Sequence, residues 1–233
     1  MPLKRNLLLS LVLALLLALS VSAAEPDMSI GTTELSRDEA IAFGMADFTD
    51  VGADHWAYDS VKKAVQLGLV TGRGDGVFAP AATMLRAEAA VMLYRMAGSP
   101  AVNARADFAD VPADSWYADA VSWAVEQKLM NGVVSDGVHK LFAPVQNITR
   151  QELITVLYRM AGSASGAEVM FTSVYDARFA DNSEIALWAK PAMYWGVYKE
   201  LIRGTAENAL APTQAVTRAE AAAILVRYTE KVN

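Results

Sequence analysis

Three arginines hold the same place in a recurring tetrad: Leu85-Arg86-Ala87-Glu88, Thr149-Arg150-Gln151-Glu152 and Thr217-Arg218-Ala219-Glu220. Thr followed three residues later by Glu is a capping box, in which hydroxyl and carboxylate each satisfy an amide at a helix start. The glutamates therefore have a structural use that needs no acid or base chemistry. The arginines do not. A cation in the first helical turn opposes the macrodipole by a few tenths of a kcal/mol or more, yet it recurs three times. Beside the unpaired N–H groups of a helix start, an arginine is placed to help hold an anion. Its planar fork grips a carboxylate through two parallel hydrogen bonds. On the residues alone an equal alternative stands: Arg86, Arg150 and Arg218 pair with Asp50, Asp110 and Asp181 and lock neighbouring segments together.

Other chemistries are thinly provided for. The 233 residues include no Cys and two His, so thiolate sites, Cys nucleophiles, disulfides and a His-based metal centre all lack material. A formal net charge of −6 argues against nucleic-acid partners, which need dense Lys and Arg. Glycoside hydrolysis needs two carboxyls about 5 Å apart in retaining enzymes, and no acid here stands in such a motif. Asp75-Gly76 and Asp136-Gly137 read as turns and lack the further carboxylates of a calcium loop. No cofactor, metal or catalytic residue is assigned.

The tetrads belong to a longer repeat. FTDV (48–51), FADV (108–111) and FADN (179–182) are each followed by a Trp (Trp56, Trp116, Trp188) and, sixteen residues later, by a Gly (Gly72, Gly132, Gly204). FAP, FAP and LAP end at Pro80, Pro144 and Pro212, just before each tetrad. Between Trp and Gly, apolar residues such as Val61, Ala64, Val65 and Val121, Ala124, Val125 fall at helical spacing, with Gly68 as a helix stop. A second helix follows each Pro, with Val91, Met92, Met96 or Ile154, Leu157, Met160 facing a core. Each repeat thus predicts helix, loop, helix. Some 55 to 60 residues bury too little to be stable alone, which predicts one cooperative assembly of three. At helical spacing the three Trp are read as buried, with a second reading in which a ring edge lines a groove. The three Gly are read as positive-φ turns that also let a ligand approach the backbone.

The ordered set of F-x-D-V, Trp helix, Gly loop, F-x-P and T-R-x-E resembles the S-layer homology domain, in three tandem modules over roughly residues 45–233. The resemblance implies a mainly α fold, with helix-loop-helix modules in a pseudo-three-fold spindle whose T-R-x-E helices meet in a central bundle. It also implies non-covalent anchoring to a secondary cell-wall polysaccharide, often carrying pyruvate ketals, in grooves between modules. Mapped residue by residue, the ligand-binding set is Arg86, Arg150, Arg218, Asp50, Asp110, Asp181, Trp56, Trp116, Trp188, Gly72, Gly132 and Gly204. The alternatives are a protein-interaction scaffold of the cell envelope and a wall glycan hydrolase.

The expected organisation is a signal peptide over 1–24, an N-terminal segment over 25–44, and modules at 45–104, 105–167 and 168–233. Lys4-Arg5, the Leu-rich run from Leu7 to Leu19 and Ser22-Ala23-Ala24 form the three regions of an export signal. The run is shorter than the roughly 20 residues that span a bilayer. The expected location is the bacterial cell wall or S-layer, with no membrane span after cleavage. Leu35-Ser36-Arg37-Asp38-Glu39-Ala40 reads as an extra helix beside the first module or as an ordinary capped helix. The modules are not equivalent. Leu85 replaces the capping Thr, the second loop is longer, and Glu207-Asn208 adds acid to the third where an anion would dock, so the grooves are expected to be unequal, with the third the least well supported as a site.

Overall fold

The computed structural model describes residues 47–134, 140–162, 178–205 and 207–232. The expected signal peptide, the 25–44 segment with its Leu35 helix and the Asp136-Gly137 turn lie outside the described residues. Among those described, the chain is mainly α. The first module carries α1 (Tyr58–Gln66) and α2 (Arg86–Met96), the second α3 (Ala118–Glu126) and α4 (Arg150–Met160), and the third α5 (Lys190–Tyr198) and α6 (Arg218–Lys231). A two-residue antiparallel pair, β1 (Val133–Val134) with β2 (Lys140–Leu141), closes the longer second loop, Val133 opposite Leu141.

The first helix of each module ends in the same way. The N–H groups of Leu69, Leu129 and Leu201 reach back to the carbonyls of Ala64, Ala124 and Gly196, the 6→1 bond of a Schellman motif. The residue before each Leu takes φ above zero: 69° at Gly68, but also 57° at Lys128 and 54° at Glu200. The stop signalled by Gly68 is thus imposed on two side-chain-bearing residues by the buried Leu that follows.

The aspartates expected at the arginines have another task. Asp50 accepts the amides of Phe78 and Ala79 at 2.8 and 2.7 Å, Asp110 those of Phe142 and Ala143, and Asp181 those of Leu210 and Ala211. Ala79, Ala143 and Ala211 lie at φ 60°, 57° and 50°, a sparsely populated region for a residue with a Cβ. Each carboxylate clamps its own module's loop in that conformation. The alternative in which these acids pair directly with the repeated arginines is corrected on this geometry, Asp110 and Asp50 acting on Arg86 and Arg218 only through longer-range charge.

The glycines are also explained differently from the expectation. Gly72, Gly132 and Gly204 are not in the positive-φ region. A Cβ at Gly132 would lie 2.4 Å from the Phe108 ring and 2.7 Å from the Leu141 carbonyl, and one at Gly72 would lie 2.8 Å from Phe48. The F-x-D phenylalanine packs against the loop backbone and leaves no room for a side chain.

The modules are joined at the strap before each second helix. Met84 N–H donates to Val216 O (2.8 Å), Val216 N–H to Ile148 O (2.9 Å) and Ile148 N–H to Met84 O (2.9 Å), a closed ring of three bonds with one residue from each module. All three side chains are fully buried. The helices pair across modules as well: α2 packs on α3, α4 on α5, and α6 returns to α1. The main helical partner of each T-R-x-E helix is therefore the first helix of the next module. Lys63 on α1 and Glu230 on α6 form an ion pair across this closure.

Candidate functional site: three clefts between modules

The tetrads form helix starts as read. Thr149 and Thr217 accept from the amides of Glu152 and Glu220, while Glu152 and Glu220 accept from the Thr amides at 2.8 Å. In the first module only the Glu88 half survives, with Leu85 N–H donating to Glu88 at 2.8 Å. The next two amides of each helix belong to the neighbour. Arg86 and Ala87 N–H donate to Gln146 O and Pro144 O, Arg150 and Gln151 to Gln214 O and Pro212 O, and Arg218 and Ala219 to Ala82 O and Pro80 O. The expectation of free N–H groups awaiting an anion is corrected: the next module's F-x-P loop consumes them.

The arginine side chains follow the same route. Arg86 donates through Nε to Phe142 O (3.0 Å) and through Nη2 to Asn131 O (3.0 Å), and its Nη1 stands 3.6 Å from Glu152. Arg218 repeats this on the first module with Phe78 O, Thr71 O and Glu88. Arg150 donates to Leu210 O and to Glu220 at 3.1 Å. The three are 5–8% exposed. Burial holds the Arg86 and Arg218 guanidinium groups below their ordinary pKa, with the charge of Arg73 adding to the effect on Arg218, and Glu152 with Asp110 and Glu88 with Asp50 partly restore them. Charge-assisted bonds to otherwise unpaired loop carbonyls explain why a cation stands at a helix start against the macrodipole. Its first role is to weld one module to the next.

Beyond each weld lies a small open cleft, with volumes of about 220, 270 and 210 Å³ for the first, second and third modules. The second helix of a module forms one wall, its Gly loop the other, the preceding module's arginine the floor and the following module's Trp the rim. The first cleft combines Gly72 and Glu88 with Arg218 and Trp116. The second combines Gly132 and Glu152 with Arg86 and Trp188. The third combines Gly204 and Glu220 with Arg150 and Trp56. Every cleft draws on all three modules.

The Trp rings are 64%, 65% and 57% exposed at positions 56, 116 and 188, which corrects the reading of these three as core. Trp123 and Trp195, on the first helices, are the buried ones. The structure brings nine of the twelve expected site residues to the clefts and places Asp50, Asp110 and Asp181 behind them as loop clamps.

Sequence reasoning missed a second set of cations. Arg95, Arg159 and Arg227 line the first, second and third clefts. Each follows its tetrad arginine by nine residues, which at 100° per residue is the opposite face of the helix. One helix therefore serves two clefts, with its first arginine entering the next module's cleft and its last lining its own. Arg159 and Arg227 are steadied by Leu129 O and Leu201 O at 2.8 and 3.0 Å. The constant spacing was the available signal, and on a helical face it reads as ordinary solvated charge.

The clefts are thus small and open, floored by cations and rimmed by an aromatic ring, an arrangement suited to an acidic group carried on a ring with an apolar face. Comparison with known proteins gives the repeat a family. The model of the S-layer homology domain matches at residues 47–90, 107–154 and 178–222. The chain is 31% identical over 189 residues to Exoglucanase XynX of Acetivibrio thermocellus, covering 80% of this chain and 16% of that protein. It is 30% identical over 200 residues to the Surface-layer 125 kDa protein of Lysinibacillus sphaericus (83% and 16%). It is 29% identical over 167 residues to the Cellulosome-anchoring protein of Acetivibrio thermocellus (69% and 35%). It spans between about a sixth and a third of these three relatives. With three matched segments in register with its three clefts, the chain belongs to the S-layer homology domain family.

Proposed function

We propose that this chain is a cell-surface, non-catalytic wall anchor whose inter-module clefts bind a secondary cell-wall polysaccharide bearing acidic groups such as pyruvate ketals. The observation that carries the reading is the threefold recurrence of a cleft with buried arginine, second arginine and exposed Trp. A ketal carboxylate presents two oxygens to a guanidinium fork, and the sugar's C–H face matches an indole ring in hydrophobicity. The Surface-layer and Cellulosome-anchoring names of two relatives support attachment at the envelope. The enzyme names among the relatives belong to proteins of which this chain spans a small share.

Purified wall sacculi should retain the full chain, and chemical removal of the polymer's ketals should release it. Retention that is indifferent to ketal removal but lost after protease treatment of the sacculi would instead favour the scaffold reading. A falling turbidity of the sacculi on incubation would favour the hydrolase.

A further inference from the structure

The three clefts differ in how much of their positive charge the protein itself uses. In the second cleft, Arg86 is held by two carbonyls, lies over the Phe142 ring at 5.0 Å and faces Glu152. In the first, Arg218 is held likewise by two carbonyls and the Phe78 ring at 4.7 Å, and the additional Arg73 is bound to Glu88 at 2.7 Å. The third departs on the carbonyls and the ring, while its glutamate lies nearer, at 3.1 Å against 3.6 Å in the other two. Its module has LAP in place of FAP, so Leu210 gives Arg150 no ring to lie on. Arg150 binds the Leu210 carbonyl and Glu220, and among the described residues its Nη2 has no protein acceptor. No described side-chain nitrogen is both buried and unpartnered, so that Nη2 is accessible to solvent, and Arg150 lines the cleft.

Arg203 occupies the loop position filled by Thr71 and Asn131 in the other modules. It is exposed and lines the same cleft, and its charge also acts on Glu200, which is not part of the lining. Arg227 completes the set. Burial first, and then the charges of Arg203 and Arg150, hold its guanidinium below the ordinary value, as expected for three cations close together. Glu220 is the one acid among the residues lining this cleft. Glu207, expected to add negative charge, is fully exposed and is not part of the lining.

We infer that the third cleft, built from Arg150, Arg203 and Arg227 with Trp56, is the dominant acidic-sugar subsite, its carboxylate bound between Arg150 Nη2 and the Arg203 guanidinium. This deepens the wall-anchor reading and rests on it, and it makes the groove least well supported by the sequence the principal one. Arg203 is the specificity-determining residue: the equivalent Asn131 leaves the second cleft with fewer cations, suited to weaker or uncharged units.

The test is titration calorimetry of the full chain with the methyl glycoside of a 4,6-pyruvate-ketal hexose, using its carboxyl methyl ester as the neutral control. The wild type should show a tightest site that weakens steeply with salt. Arg203→Asn, at an exposed position that leaves the melting temperature unchanged, should weaken that site by about 10- to 100-fold, the effect of one charge-assisted hydrogen bond. Arg203→Lys should recover part of the loss. If Arg203→Asn binds the acid as the wild type does, the assignment of the third cleft is wrong while the anchoring reading stands. If the wild type binds the ester as tightly as the acid, or binds neither, the anchoring reading falls and this inference with it.

Discussion

At the scale of single residues, the repeated arginine and the repeated tryptophan are opposites. Arg86 is buried, and truncation would leave the carbonyls of Phe142 and Asn131 without their donor. Arg86→Ala should cost about 3 kcal/mol or more, measured by denaturant unfolding, because a buried charged hydrogen-bond network loses its central member. Trp116→Ala should change stability by less than about 0.5 kcal/mol, as exposed substitutions do, while wall retention falls. Equal losses of stability in the two variants would contradict this division of labour. The sequence made the arginine conspicuous because it opposes the macrodipole. It could not reveal that the compensating carbonyl of Phe142 lies 56 residues away, on another module. It misassigned Gly132 for the same reason, since the Phe108 ring that crowds it arrives from 24 positions earlier.

At the scale of elements, the helix ends hold the most readable chemistry. The capping boxes at Thr149 and Thr217 and the missing cap at Leu85 follow from local spacing alone, and the structure has them all. Leu85→Thr should supply an acceptor for the Glu88 amide and raise stability by about 1 kcal/mol. No shift in the thermal midpoint would mean that Leu85's packing offsets the gained cap. Lys128 sits at φ 57° where the first module has Gly68. Lys128→Gly should therefore stabilise the chain by about 0.5–1 kcal/mol, read as a higher denaturant midpoint with an unchanged slope. The left-handed alanines before each proline were not legible. Ala and Pro give no hint of positive φ, and only the Asp50, Asp110 and Asp181 clamps account for it.

At the scale of the whole molecule, no module owns a cleft. Removing residues 168–233 takes Arg218 from the floor of the first cleft, Trp188 from the rim of the second, and α6 from its place on α1. The shortened chain should show no sharp cooperative melting transition by calorimetry and no wall retention, whereas the full chain should melt in one transition. A truncated chain that melted sharply at the original temperature would show the modules to be independent. The repeat count and the need for a shared core could be read from the sequence, because each copy is too small to fold alone. The order of sharing could not, because nothing local in Met84 says that its amide will meet Val216.

That last bond sets a schedule for the molecule's making. The partner of the first module's strap is 132 positions downstream, and Thr71 waits for an arginine 147 positions away. A nascent chain emerging from its N-terminus cannot finish this first module until Arg218 of the third has been released. Contacts of such long sequence separation slow folding. Any premature stop upstream of Val216 leaves the Met84 amide and the Ile148 carbonyl without their mate.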